Sequence, residues 1–237
     1  MDLHIHTCLS PCAQDEMLPS DIIEAAKSRG LEAVGICDHN SAENVFAVRK
    51  AGARQGVQVL GGMEICSSEE VHILAFFGDD NALLEMQNII YENLPGKNDE
   101  KYFGTQLMTD DEDRITGSMD KLLIGSTTLT IDEIVRQVRR LGGRTIAAHI
   151  DRDSFSIITQ LGFIPEQLAL DALELSWRCG RDEADNYKGY GLPLVKSSDA
   201  HFLSDIGKAV TTFKIREPSF SEVETAFGRL DGRAVNI

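Results

Sequence analysis

Positive charge is in short supply in this chain: 23 lysines and arginines stand against 38 aspartates and glutamates, a formal net charge of −15 over 237 residues. A field of that sign repels polyanions, so a broad footprint on nucleic acid or an anionic membrane is not expected, although local positive charge could still hold a small anion. Long apolar runs are missing as well. No segment approaches a membrane span, and Met1 leads straight into Asp2 without a basic and apolar leader, which points to a cytoplasmic protein. Cysteines are few and odd in number: Cys8, Cys12, Cys37, Cys66 and Cys179. That pattern argues against a disulfide framework. They read as core thiols, with Cys12 the one candidate for another role. Internal repeats and low-complexity segments are also absent.

What is present is ordinary globular composition, 42% hydrophobic and 26% charged, at a length that suits one α/β domain. Strand-like and helix-like segments alternate, as in βα units around a parallel sheet. Strands are expected at 2–7, 31–37, 57–65, 71–77, 144–149, 172–177 and 192–197. Helices are expected at 21–29, ending at Gly30, at 41–55, ending at Gly56, and at 81–93. Thr130 and Glu133 make a capping-box pattern before a helix that stops at Gly142-Gly143. A strand near 209–215 and a helix near 219–230 close the chain. Residues 97–128 break the alternation, with a hairpin expected around the acidic turn Asp110 to Asp113, and read as an insertion beside or over the site.

The histidines carry the functional signal. His4 and His6 close the first strand, spaced so that both imidazoles point the same way. His39 follows the second strand, His149 ends the fifth and His201 lies just beyond the seventh; His72, at the start of its strand, is the exception. In parallel α/β barrels the C-terminal ends of the strands are where active sites are built. Glu64 ends the third strand after Gly61-Gly62, and Asp199 sits two residues before His201. Histidine and carboxylate with at most one thiolate suit zinc, manganese or iron rather than a structural cysteine-rich zinc site.

The segments Asp2-Leu3-His4-Ile5-His6, Asp38-His39, Gly62-Met63-Glu64, Val71-His72, Ala148-His149 and Ser198-Asp199-Ala200-His201 resemble the PHP (polymerase and histidinol phosphatase) family, in that family's motif order across nearly the whole chain. The resemblance implies a distorted, TIM-like barrel of seven βα units, with a PHP-associated strand and helix at about 203–237. It also implies a cluster of two or three divalent ions at the C-terminal mouth and hydrolysis of phosphate esters. Carried over, one metal is held by His4, His6, Glu64 and Asp199. A second shares Glu64 and adds His72 and His149. A third takes His39 and His201. Its remaining ligand falls in the loop after the first strand, where Cys12 stands nearest and Asp15 is the rival.

Such a site stays locally cationic, because the charges of the ions outnumber those of Glu64, Asp199 and a Cys12 thiolate. The expected chemistry is attack of metal-activated hydroxide on phosphorus without a covalent enzyme intermediate. Glu64 and Asp38 are the catalytic candidates. Asp38, like Asp2, is expected to stand behind a histidine and hold its tautomer, with protonation of the leaving group as the alternative for Asp38. Arg178 and Arg152 are candidate clamps for phosphate oxygens. Trp177, the single tryptophan, reads first as core packing and second as a surface on which a substrate ring stacks. The expected substrate is small, soluble and phosphorylated, a nucleotide among the candidates. A nuclease or proofreading role and a non-catalytic metal-binding module are the alternatives.

Overall fold

The computed structural model describes residues 1–237. In chain order the elements are β1 (Asp2–Ile5), α1 (Pro19–Ser28), β2 (Ala33–Ile36), α2 (Val45–Gln55), β3 (Gln58–Cys66), β4 (His72–Phe77), α3 (Asp80–Asn93), α4 (Glu100–Phe103), β5 (Leu107–Thr109) and β6 (Ile115–Ser118). They continue with α5 (Ile131–Arg140), β7 (Arg144–Ala147), α6 (Ile157–Leu161), β8 (Ala172–Leu175), α7 (Arg181–Ala184), a 3-10 turn (Asp185–Tyr190), β9 (Leu194–Lys196), β10 (Thr212–Lys214), α8 (Phe220–Phe227) and β11 (Ala234–Asn236). No helix is long and apolar enough to cross a membrane.

Seven strands form one sheet in the order β1-β2-β3-β4-β7-β8-β9. Its two edges meet beyond the regular ladder, where His6 N donates to Ala200 O at 2.9 Å and Ala200 N to His4 O at 3.1 Å. The result is a nearly closed, distorted barrel. The expected run of parallel strands is broken once: β4 pairs antiparallel with both β3 and β7, joined to β3 as a hairpin with Cys66 opposite His72. This reversal removes the anomaly of His72. Because β4 runs the other way, its first residue lies at the same end of the barrel as the last residues of its neighbours.

A cluster containing Leu3, Leu60, Leu74, Phe76, Ile146, Ala172 and Val195, contributed by strands around the sheet, packs together with Val223 and Phe227 of α8. Fully buried aliphatic side chains of this kind each contribute about 1.5–3 kcal/mol. The larger cluster joins the sheet to α1, α2, α3 and α5. Leu3 and Ile5 fall in different clusters, since the pairing of β1 with β2 shifts register between Asp2 and Ile5.

Local sequence explains most boundaries. Thr130 Oγ1 accepts from Glu133 N at 3.3 Å while Glu133 Oε2 accepts from Thr130 N at 2.9 Å, the expected capping box. Helix α2 starts four residues later than the pattern suggests. Asn44 there bonds Thr7 Oγ1, Leu107 O and Thr109 N, so its side chain ties the loop after β1 to the insertion. The hairpin expected in the insertion is β5-β6. The final β10-β11 pair forms its own small sheet, and β11 was not expected.

Candidate metal centre and active site

All six imidazoles meet at the mouth of the barrel. Ring centroids are 5.1 Å apart for His4 and His6, 4.6 Å for His6 and His39, 5.4 Å for His39 and His72, and 5.4 Å for His72 and His149; His201 stacks on His6 at 4.2 Å. Glu64, fully buried, stands among them. Its Oε1 is 2.8 Å from His72 Nδ1, 3.1 Å from His149 Nε2 and 3.4 Å from His4 Nε2, and its Oε2 is 3.0 Å from His39 Nδ1 and 3.5 Å from His6 Nε2. Asp199 Oδ1 lies 3.2 Å from His6 Nε2 and 3.4 Å from His4 Nε2. Donor atoms come within ion-binding range in three groups: His4, His6 and Asp199; His39, Glu64 and His72; His6, His39 and His201.

The donor chemistry fits metal ions. His4 Nε2 and His6 Nε2 face each other at 3.2 Å. The far nitrogens of both rings are engaged, His4 Nδ1 by Glu174 Oε2 at 3.0 Å and His6 Nδ1 by Ser10 Oγ at 2.9 Å, which aims both Nε2 atoms at the carboxylates. Burial and the neighbouring His201 hold His6 well below its ordinary pKa, so it stays in the neutral form that ligates. Burial works against ionisation of Glu64, yet the charge of His72, His4 and His39 outweighs it and holds the carboxyl well below the usual range. The buried His149 Nδ1 has no partner at all.

The loop after β1 brings Cys12, not Asp15, to the rings of His39 and His201. Burial opposes ionisation of Cys12, but hydrogen bonds from those two imidazoles draw the thiol down to about 6. Three mouth residues, His149, Asp199 and Asn40, take left-handed backbone at φ 30°, 51° and 50°. Strain of that kind is characteristic of sites whose geometry is over-determined by function.

The supporting groups differ from those expected. Asp2 touches no imidazole; its carboxylate accepts from Ser198 N at 3.0 Å and Gly207 N at 2.8 Å, and so ties β1 to the segment that carries Asp199. Asp38 accepts from Thr7 N, Thr7 Oγ1 and Ser10 Oγ, each at 2.7 Å, and reaches His6 only through Ser10. It is fully buried and does not line the cavity, which leaves it out of reach of a leaving group. The direct partner of His4 is Glu174, a residue the sequence reading missed. Its signal was a carboxylate in the otherwise apolar strand Ala172-Leu173-Glu174-Leu175, at the mouth end like Glu64.

Over the cluster opens a cavity of about 660 Å3 lined by Cys12, His39, Glu64, His72, His149, Asp199 and His201, and by Arg152, Arg178, Phe155 and Ile124. The insertion reaches it through Ile124, and Asn40 Nδ2 holds the neighbouring Leu123 and Gly125 carbonyls at 2.8 and 2.7 Å. Arg152 pairs with Asp199. Arg178 has no carboxylate partner; its guanidinium lies over the Trp177 ring, 5.1 Å from the centroid. Trp177 is 43% exposed, which corrects its reading as core. Its turn is pinned by Asp151, whose carboxylate accepts from Ser176 N and Ser176 Oγ.

Comparison with known proteins agrees with this architecture. Residues 2–102 match the PHP domain and residues 181–229 the PHP-associated family. Over 86 residues the chain is 33% identical to phosphoribosyl 1,2-cyclic phosphate 1,2-diphosphodiesterase of Eggerthella lenta, covering 34% of this chain and 32% of that protein. Among solved structures, the lesion-specific endonuclease EndoQ of Pyrococcus furiosus superposes with a TM-score of 0.74 at 21% identity, over 99% of this chain and 56% of that one. A two-domain protein of Bacteroides vulgatus that contains a predicted PHP-like metal-dependent phosphoesterase gives 0.60 at 17% identity, over 100% and 64%. At these identities the two structures speak to the fold. The chain thus spans about a third of the Eggerthella relative and just over half of the Pyrococcus structure. Residues 2–102 of the chain are therefore a PHP domain and residues 181–229 a PHP-associated segment.

Proposed function

We propose that this protein is a metal-dependent phosphoesterase that hydrolyses a small soluble phosphate ester. The observation that supports it most is the convergence of five imidazoles on the two oxygens of Glu64, directly beneath a cavity that presents the unpaired Arg178. Two or three divalent ions, zinc, manganese or iron, would be held by His4, His6, Glu64 and Asp199, by Glu64, His72 and His149, and by Cys12, His39 and His201. Such ions supply Lewis acidity and bring the ionisation of water near neutral pH.

The protein's own groups do the rest. Glu64 acts as the shared carboxylate, Glu174 and Ser10 keep His4 and His6 in their ligating tautomers, and Arg178 grips phosphate oxygens through its planar fork. Arg152, paired with Asp199, orients that carboxylate and can turn one N–H toward phosphate. Asp38 works behind His6 through Ser10. The cavity volume is that of a site for a molecule of nucleotide size.

The test is phosphate release from a panel of phosphorylated metabolites and cyclic or linear diesters, with protein loaded in turn with zinc, manganese and iron. Turnover of at least one ester in a metal-dependent manner is expected. No release from any ester with any metal would overturn the proposal. Degradation of single-stranded DNA in preference to small esters would favour the nuclease alternative.

A further inference from the structure

Eight non-glycine residues adopt left-handed backbone: Asn40, Glu70, Asp113, His149, Phe155, Asp199, Arg229 and Asp231. Seven are polar or charged, and four are the Asn and Asp that tolerate this region best. Phe155, at φ 56°, is the only apolar one, and for a bulky side chain this conformation is a genuine outlier. Nothing in core packing requires it, because Phe155 is 39% exposed. The surroundings nevertheless hold it in place. His72 N donates to Phe155 O at 2.9 Å, and the Phe155 ring stacks on the His72 imidazole at 4.5 Å and 22°. Ser156 caps α6 immediately after it, accepting from Thr159 N at 3.1 Å.

The unfavourable backbone has one visible product. It places a flat ring against the cluster, stacked on His72 and part of the cavity lining, where Ile124 is the only other hydrocarbon side chain. We infer that Phe155 is a specificity-determining residue, the shelf on which a planar ring in the organic part of the substrate stacks while its phosphate lies at the metal cluster and Arg178. The selected class is then esters of ring-bearing alcohols, of which nucleoside monophosphates are the test case, over phosphates of plain sugars and polyols. The inference rests on the phosphoesterase proposal for the position of the phosphate.

The experiment compares binding of adenosine 5′-monophosphate and ribose 5-phosphate, which differ only by the base, to metal-loaded protein by titration calorimetry. Phosphate release is followed separately, so that the failure of either proposal is visible by itself. Stacking of a base on an aromatic side chain predicts a preference of about 5- to 150-fold for the nucleotide. Phe155→Gly and Phe155→Asn both accept left-handed backbone and should fold. Each is expected to reduce that preference to within about threefold, with metal stoichiometry unchanged, and Phe155→Tyr to retain it. Equal binding of the two ligands by wild-type protein would overturn the inference, as would an undiminished preference in the Gly and Asn variants.

Discussion

Replacing Glu174 with glutamine tests the support of the metal cluster at its least expected point. Glu174 is 1% exposed, and its Oε2 accepts from His4 Nδ1 at 3.0 Å and from His149 N at 3.1 Å, so one oxygen steadies two of the candidate ligands. Its Oε1 has no partner. Glutamine keeps the volume and can still accept a hydrogen bond, but it removes the charge that makes the imidazole a stronger ligand. Loss of such a carboxylate behind a metal-binding histidine typically costs 10- to 100-fold in affinity, about 1.4–2.7 kcal/mol. In metal-free protein the change is also destabilising, because Glu174, Glu64 and Asp199 hold His4 well above its ordinary pKa against burial, and glutamine takes away one counter-charge of that buried imidazolium. The assay is competition for zinc or manganese against a chromophoric chelator, paired with thermal melts of stripped and loaded protein. Weakened affinity together with a lower melting temperature for the stripped form is expected. Affinity within twofold of wild type would refute the role assigned to Glu174.

Three further outcomes follow from the same geometry. His4→Ala and Glu64→Ala should each lower bound metal on elemental analysis, Glu64→Ala the more, since its two oxygens face five imidazoles; unchanged stoichiometry would reject the ligand sets. Arg178→Ala should raise KM by about 10- to 150-fold, the worth of a lost hydrogen-bonded charge contact, with metal content intact, and wild-type kinetics would remove Arg178 from phosphate binding. In stripped protein Cys12 should be the one fast-alkylating thiol: its pKa is near 6, whereas burial pushes Cys8 up to about 12 and Cys66 and Cys179 up to about 11. Since the thiolate is the nucleophile, its rate should rise through pH 6 and level off above it, and bound metal should suppress it. Several thiols reacting alike, or no protection by metal, would refute the assignment.

Much of this protein was legible in its sequence. Helix caps such as Thr130 with Glu133, glycine stops such as Gly56, and the apolar runs of the strands are local interactions between residues close in the chain. They therefore set seven barrel strands and most helices within a few residues. The mouth residues were legible too, because strand ends in an α/β barrel converge by topology, so a histidine at the end of a strand already has an address.

Only the tertiary structure decided the rest, since each remaining feature depends on residues distant in sequence. The reversal of β4, which brings His72 to the mouth, is a matter of pairing with β3 and β7. The partner of His4 is Glu174, 170 positions away, and the expected partners Asp2 and Asp38 were claimed by Ser198, Gly207, Thr7 and Ser10. Cys12 rather than Asp15 lies beside His39 and His201 because of the course of the loop after β1. The left-handed turn of Phe155, held by the backbone N–H and ring of His72, has no sequence signature at all. Sequence placed the reactive side chains at one end of a barrel; long-range packing chose which atoms face one another there, because distance between nitrogen and oxygen is settled only when the barrel closes.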